Sequence, residues 1–212
     1  MRRLILKMSV SVDGFVSGPN GEIDWIFKST DDGAARWVME TLWQADLHIM
    51  GSRTFYDMAS YWPYSTEPFA APMNEIPKAV FTRKASLAPV SEMLTTRAYK
   101  DASLLNRREA QKQQMPGADS WGKAYVATGD LSEEINRLKQ QPGKDILAHG
   151  GAGFAQSLVK EGLIDEYRLL THPVSLGTGL PLFSAIALPL YLKLVSATSF
   201  NSGAIAHVYH PA

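Results

Sequence analysis

The sequence predicts an α/β domain with a mostly parallel central sheet, helices on both faces and antiparallel strands near the carboxyl end. Three observations predict this. Apolar runs of strand length recur at residues 4–10, 47–50, 79–81, 125–127 and 146–148, and most are too short for a helix. Helix-spaced apolar residues follow most of them, the alternation expected of parallel strands joined by crossover helices. Beyond residue 166 the pattern changes, and two strand-like segments, 190–196 and 204–209, flank Gly203 in the manner of a hairpin.

Taken in order, Leu4, Leu6, Met8 and Val10 alternate as a first strand. From 11 to 29 the pattern gives way to turn signals at Asp13-Gly14, Gly18-Pro19 and Asn20-Gly21. A long loop beside a strand end is often functional, and its Trp25 either packs beneath the loop or lines a pocket for a flat ligand. Asp31 or Asp32 caps a helix that turns Ala35, Val38, Met39 and Leu42 inward, flanked by Trp37 and Trp43. The strand at 47–50 runs into Gly51-Ser52-Arg53-Thr54 and a helix from Phe55 to about Tyr61. Pro63 ends that helix, and the proline-rich stretch to Pro77 reads as a surface excursion.

Ala79, Val80 and Phe81 form a strand ending in Thr82-Arg83-Lys84. Residues 100–114 are polar and helix-favouring, so 100–122 is expected to be a solvated insertion. Tyr125, Val126 and Ala127 lead through Thr128-Gly129-Asp130 to a helix with Leu131, Ile135 and Leu138 inward. The run at 146–148 then meets Gly150, Gly151 and Gly153, followed by helical spacing at Phe154, Leu158 and Val159, with Gly162 where that helix stops.

At 212 residues the chain suits a single domain with a sizeable core. Its 21 basic residues balance 21 acidic ones, which disfavours a protein that coats nucleic acid or an anionic membrane through net charge. Absence of cysteine excludes disulfides, thiolate zinc sites and cysteine nucleophiles. Lys7 interrupts the apolar run after Arg2 and Arg3 before a signal segment could form, and no stretch would span a bilayer. A soluble cytoplasmic protein is expected.

The chemistry should gather where parallel strands end. Four such ends carry glycines, hydroxyls or cations: Gly51-Ser52-Arg53-Thr54, Thr82-Arg83-Lys84, Thr128-Gly129-Asp130 and Gly150-Gly151-Ala152-Gly153. Parallel pairing would place them on one rim, offering backbone donors and positive charge to a ligand with several phosphates. Arg83 and Lys84 would favour the extra 2′-phosphate of NADP over NAD. A standard dinucleotide fingerprint is missing, because Gln156 stands at the third glycine position, and no Walker lysine closes the turn. The histidines form no HExxH arrangement, so no metal site is expected, and no G-x-S-x-G elbow occurs. Hydride transfer remains, with a cofactor supplying the reactive atom.

Those residues resemble the dihydrofolate reductase-like family, most of all the reductase domain of the bifunctional riboflavin-biosynthesis deaminase-reductase. The likeness rests on Ser11-Val12-Asp13-Gly14, Met50-Gly51-Ser52-Arg53-Thr54, His149-Gly150-Gly151-Ala152, and Gly162-Leu163-Ile164-Asp165-Glu166 running on to Pro173-Val174 and Leu176-Gly177. It implies NADPH across the sheet, with Gly51, Arg53 and Thr54 near the pyrophosphate and Thr82, Arg83 and Lys84 near the 2′-phosphate. Gly150, Gly151, Ala152, Gly153 and Phe154 would lie under the other phosphate face. It further implies a homodimer, with a small pyrimidine- or pterin-like substrate held near a catalytic Asp13 and Trp25. Gly33-Ala34-Ala35 stands where folate reductases carry an acid, so the substrate is expected to differ from dihydrofolate. A non-catalytic nucleotide-binding protein of the same fold is the alternative.

Overall fold

The computed structural model describes residues 1–84, 86–87, 114–184 and 186–212. The chain runs β1 (Leu4–Ser11), β2 (Phe15–Ser17), α1 (Asp24–Lys28), α2 (Asp32–Gln44), β3 (Ala45–Gly51), α3 (Ser52–Tyr61), α4 (Ala70–Glu75) and β4 (Lys78–Phe81). It continues through β5 (Tyr125–Ala127), α5 (Leu131–Gln140), β6 (Asp145–His149), α6 (Ala152–Lys160), β7 (Glu166–His172), β8 (Leu180–Pro181), β9 (Leu192–Ser199) and β10 (Ile205–Pro211). Eight strands form the main sheet in the order β5-β4-β3-β6-β1-β7-β10-β9. The first six are parallel, and β10 pairs antiparallel with both β7 and β9. This is the expected α/β class, with the β9–β10 turn at Gly203, where φ is +83°.

Alternation along β1 divides the core. Leu4, Leu6, Met8 and Val10 pack with Ile135 and Leu138 of α5 and Ala155, Leu158 and Val159 of α6. Ile5 faces the other way, into a cluster with Leu42 of α2, Phe55 and Ala59 of α3 and Met73 of α4. All of β1 is buried except Lys7, which is partly buried. After α6, Gly162 takes φ +63° while Leu163 N donates to Leu158 O and Gly162 N to Val159 O, each at 3.1 Å, a Schellman stop at the anticipated residue.

Two expectations are corrected. The 63–77 stretch is no surface excursion, for Pro63, Pro72, Met73, Asn74 and Ile76 are buried and α4 lies within it. Asn74 is the reason: its Nδ2 donates to Trp62 O and its Oδ1 accepts from Trp121 Nε1, both at 2.8 Å. Of the predicted insertion, 100–113 lies outside the described residues, whereas 114–122 includes a 3-10 turn (Ala118–Trp121) whose Trp121 is 4% exposed in the second cluster. A tryptophan supplies enough apolar area to fasten a polar stretch to the core. The 11–29 loop also contains α1 and the short β2, which pairs antiparallel with β8.

Charges cluster at the amino-terminal edge, away from the glycine turns. Arg3 bridges Asp145 at 2.5 Å and Glu166 at 2.9 Å, while Arg168 and His210 reach Glu166 at 2.6 Å and 3.1 Å respectively. Among the described residues no helix is long and apolar enough to cross a membrane.

Candidate active site

The chain passes from β1 outward to β3, β4 and β5, then returns to insert β6 between β3 and β1. Such a reversal of strand order opens a crevice beyond the carboxyl ends. A cleft of about 1190 Å³ lies there. Its lining brings together Gly51, Ser52, Arg53 and Thr54 after β3, Thr82, Arg83 and Lys84 after β4, Gly129 and Asp130 after β5, and Gly150, Gly151, Ala152, Gly153 and Phe154 after β6. Segments about a hundred residues apart thus share one surface.

Helix capping sets the polarity of this rim. Asp31 accepts from Ala34 N at the start of α2, and Asp130 from Glu133 N at the start of α5. The helices that open onto the cleft, α3 and α6, begin at Gly51 and Gly151 without any side-chain cap. Their first-turn N–H groups and positive dipole ends are left for a ligand, and an anion suits them best. The glycines let the two turns touch. Gly151 N donates to Thr54 Oγ1 at 2.8 Å, and a Cβ on Gly151 would stand 2.7 Å from that oxygen. A Cβ on Gly51 would meet Phe154 Cβ at 3.2 Å, and one on Gly150 would meet the Met8 thioether at 2.9 Å. At Gly153 a Cβ would meet nothing within 4 Å. That backbone is open to approach, so the donor set fits a phosphorylated cofactor. Arg53, Arg83 and Lys84, all exposed, add positive charge.

Asp13 does not line this cleft. Its carboxylate accepts from Ser11 Oγ, from Ser175 Oγ and Gly177 N at 2.7 Å, and from Leu176 N at 3.0 Å. Those bonds, Ser11 foremost, hold it ionised well below the usual carboxylate range. The expected catalytic group is therefore a clasp between the loop after β1 and the turn after β7. Trp25 is also displaced from the expected role: it is 7% exposed, donates from Nε1 to Glu22 O at 3.2 Å and meets His172 edge-on at 5.3 Å. Its neighbours Ile23, Ile26 and Phe27 line the cleft instead.

Other polar groups reach the cleft that the sequence patterns did not single out. Lys7 lies on the floor, directly opposite His149 in the β1–β6 register. Burial pushes its ammonium down to about 8, and it makes no ion pair or hydrogen bond among the described residues. Burial, then the neighbouring His48 and Lys7, hold His149 neutral, with its ring 4.5 Å from that of His48 and Nε2 without a partner among the described residues. Asp57, Trp62 and Glu67 also line the cleft. Lys7 did leave a signal, since an ammonium within a strand buried on both faces needs a reason. Among the described residues no three His, Asp or Glu side chains gather in a way that could hold a metal.

The parallel sheet, its antiparallel edge and the cleft at the strand ends define a dihydrofolate reductase-like α/β protein. The fold superposes on dihydrofolate reductase from Enterococcus faecalis, determined as a complex with NADP(H), with a TM-score of 0.57 at 12% identity, covering 99% of this chain and 96% of that one. Within this class the chain belongs to the RibD C-terminal domain family, whose model matches residues 2–206. It is 33% identical over 209 residues to the uncharacterized protein YyaP of Bacillus subtilis strain 168, covering 99% of this chain and 95% of that protein. The deaminase/5-amino-6-(5-phosphoribosylamino)uracil reductase of Thermotoga maritima superposes with a TM-score of 0.65 at 16% identity, covering all of this chain and 57% of its own length.

Proposed function

We propose that the protein is a cytoplasmic, NADPH-dependent reductase that delivers hydride to a small pyrimidine- or pterin-like heterocycle. One observation carries the reading: two uncapped helix starts and the cations Arg53, Arg83 and Lys84 face a single cleft at the strand ends. Family membership and the NADP(H) in the folate-reductase relative support it. The first turns of α3 and α6, with Arg53 and Thr54, would hold the pyrophosphate, and the Thr54–Gly151 bond keeps those turns in step. Thr82, Arg83 and Lys84 would take the 2′-phosphate, a dianion that opposed positive charge selects over the free hydroxyl of NAD. Bound there, the nicotinamide would supply the hydride. The chain's own part is to orient the rings and keep water out, with apolar walls from α1 and α2.

Calorimetric titration with NADPH and NADH tests this. Binding of NADPH at micromolar concentration, with NADH weaker, is expected; absence of binding removes the cofactor assignment, and equal affinities remove the role of Arg83 and Lys84. Engagement of Asp13 in its clasp favours one competing reading, a nucleotide-binding protein without catalysis. Oxidation of NADPH with any pteridine or aminopyrimidine would exclude it. We also propose a homodimer formed through β9, the outer edge of the sheet, where Leu194 and Val195 are each 52% exposed. Leu194→Asp should then halve the mass seen by sedimentation.

A further inference from the structure

One aromatic side chain of the cleft wall stands in water. Phe27 is 69% exposed yet lines the cleft. Isolated exposed apolar groups are ordinary on a surface, but this one is held there by tertiary contacts. At 5 residues, α1 is too short to persist alone. Its Trp25 is buried, and the neighbouring His172, fully buried, meets the Trp25 ring edge-on at 5.3 Å and Ser29 Oγ through Nδ1 at 2.8 Å. Thr30 Oγ1 donates to Ile26 O at 2.7 Å. The backbone on both sides of Phe27 is thus fixed while its phenyl ring stays uncovered. His172 ends β7, which runs parallel to β1, so α1 stands at the β7 end of the rim. Arg83 and Lys84 follow β4, four strands away in the order β4-β3-β6-β1-β7. With strands about 4.8 Å apart, the two ends are separated by roughly 19 Å.

We propose, resting on the reductase reading, that Phe27 is a substrate-contact residue whose phenyl ring packs on the planar heterocycle and leaves water only when that substrate enters. The cations at the β4 end take the cofactor's phosphate, which leaves the α1 end for a flat, uncharged ring. The side chains around α1 suit that occupant. Ile23, Ile26 and Phe27 line the cleft, whereas Asp24 and Lys28 do not and pair with each other at 3.2 Å. A phenyl ring gains from an aromatic partner in offset or edge-on packing, beyond the area it buries. The same contact closes the wall of the cleft against water.

The test titrates lumazine, a two-ring pteridine, and 5,6-diaminouracil by calorimetry into the full chain saturated with NADPH. At least one is expected to bind. Phe27→Ala should weaken that binding roughly tenfold, with NADPH affinity and the thermal unfolding midpoint unchanged because the exposed ring covers no core. Phe27→Tyr keeps the ring and should stay within about twofold of wild type. An equal loss of NADPH affinity in Phe27→Ala would put the ring on the cofactor and overturn the inference. Unchanged probe affinity would leave the ring in solvent, and failure of Phe27→Tyr to retain binding would deny the ring its part; either result overturns it too. If NADPH binds but neither probe does, the inference falls and the cofactor reading stands. If NADPH itself fails to bind, the reading beneath falls as well.

Discussion

Gly151→Ala probes whether the turns after β3 and β6 form one seat. An added Cβ would stand 2.7 Å from Thr54 Oγ1, well inside contact distance, so the hydroxyl must rotate away. Rotation gives up the 2.8 Å bond from Gly151 N. Losing that bond costs roughly 0.5–1.5 kcal/mol, and residual crowding about 1–3 kcal/mol. We therefore expect folding stability to fall by about 2 kcal/mol in urea titrations, partly relieved by local adjustment. NADPH affinity should fall roughly tenfold, because the first turns of α3 and α6 no longer present their donors together. Thr54→Ala removes the same bond without the clash. Adding it to Gly151→Ala should make the double variant about 1 kcal/mol more stable than the sum of the single losses predicts. Unchanged stability and affinity in Gly151→Ala, or strict additivity in the cycle, would refute the claim that close approach of the two turns builds the site.

Three further outcomes follow from the charges. Arg83→Ala should weaken NADPH by roughly tenfold with little effect on NADH; equal losses for both would move the guanidinium to a group the two cofactors share, and no loss for either would place it in solvent. Lys7, held near 8 against 10.5 in a free chain, binds fewer protons folded than unfolded between those values, so stability rises with pH across the window. Lys7→Met should abolish that share of the rise and stabilise the protein by about 3 kcal/mol at pH 7, although buried Lys78, held near 7, keeps a rise of the same sign. At Glu166, burial favours the neutral acid, but hydrogen bonds from Arg168 and His210 outweigh it and the pKa is lowered from 4.5. Its contribution is present above that value and lost as pH falls through the folded pKa. Glu166→Ala should cost about 3 kcal/mol at pH 7 by stranding Arg168, and denaturation curves should show the difference from wild type shrinking in acid.

Local pattern determined much of this protein. Alternation at Leu4, Leu6, Met8 and Val10 and the glycine stop at Gly162 are short-range matters of side-chain period and backbone sterics, legible without a fold. Parallel pairing followed from strands alternating with helices, and that was enough to draw Gly51, Thr82 and Gly150 toward one edge. Tertiary structure decided what could not be read along the chain. The same Asp13 could serve as a catalyst or a clasp, and the choice rests with Ser175, Leu176 and Gly177 more than 160 residues away. The prolines around α4 read as surface until Asn74 finds Trp121. Lys7 looks like a break in an apolar run, and only the strand order that sets it opposite His149 makes it the floor of a cleft. Burial and hydrogen-bond partnership depend on distant segments meeting, and a local pattern carries no record of which segments those are.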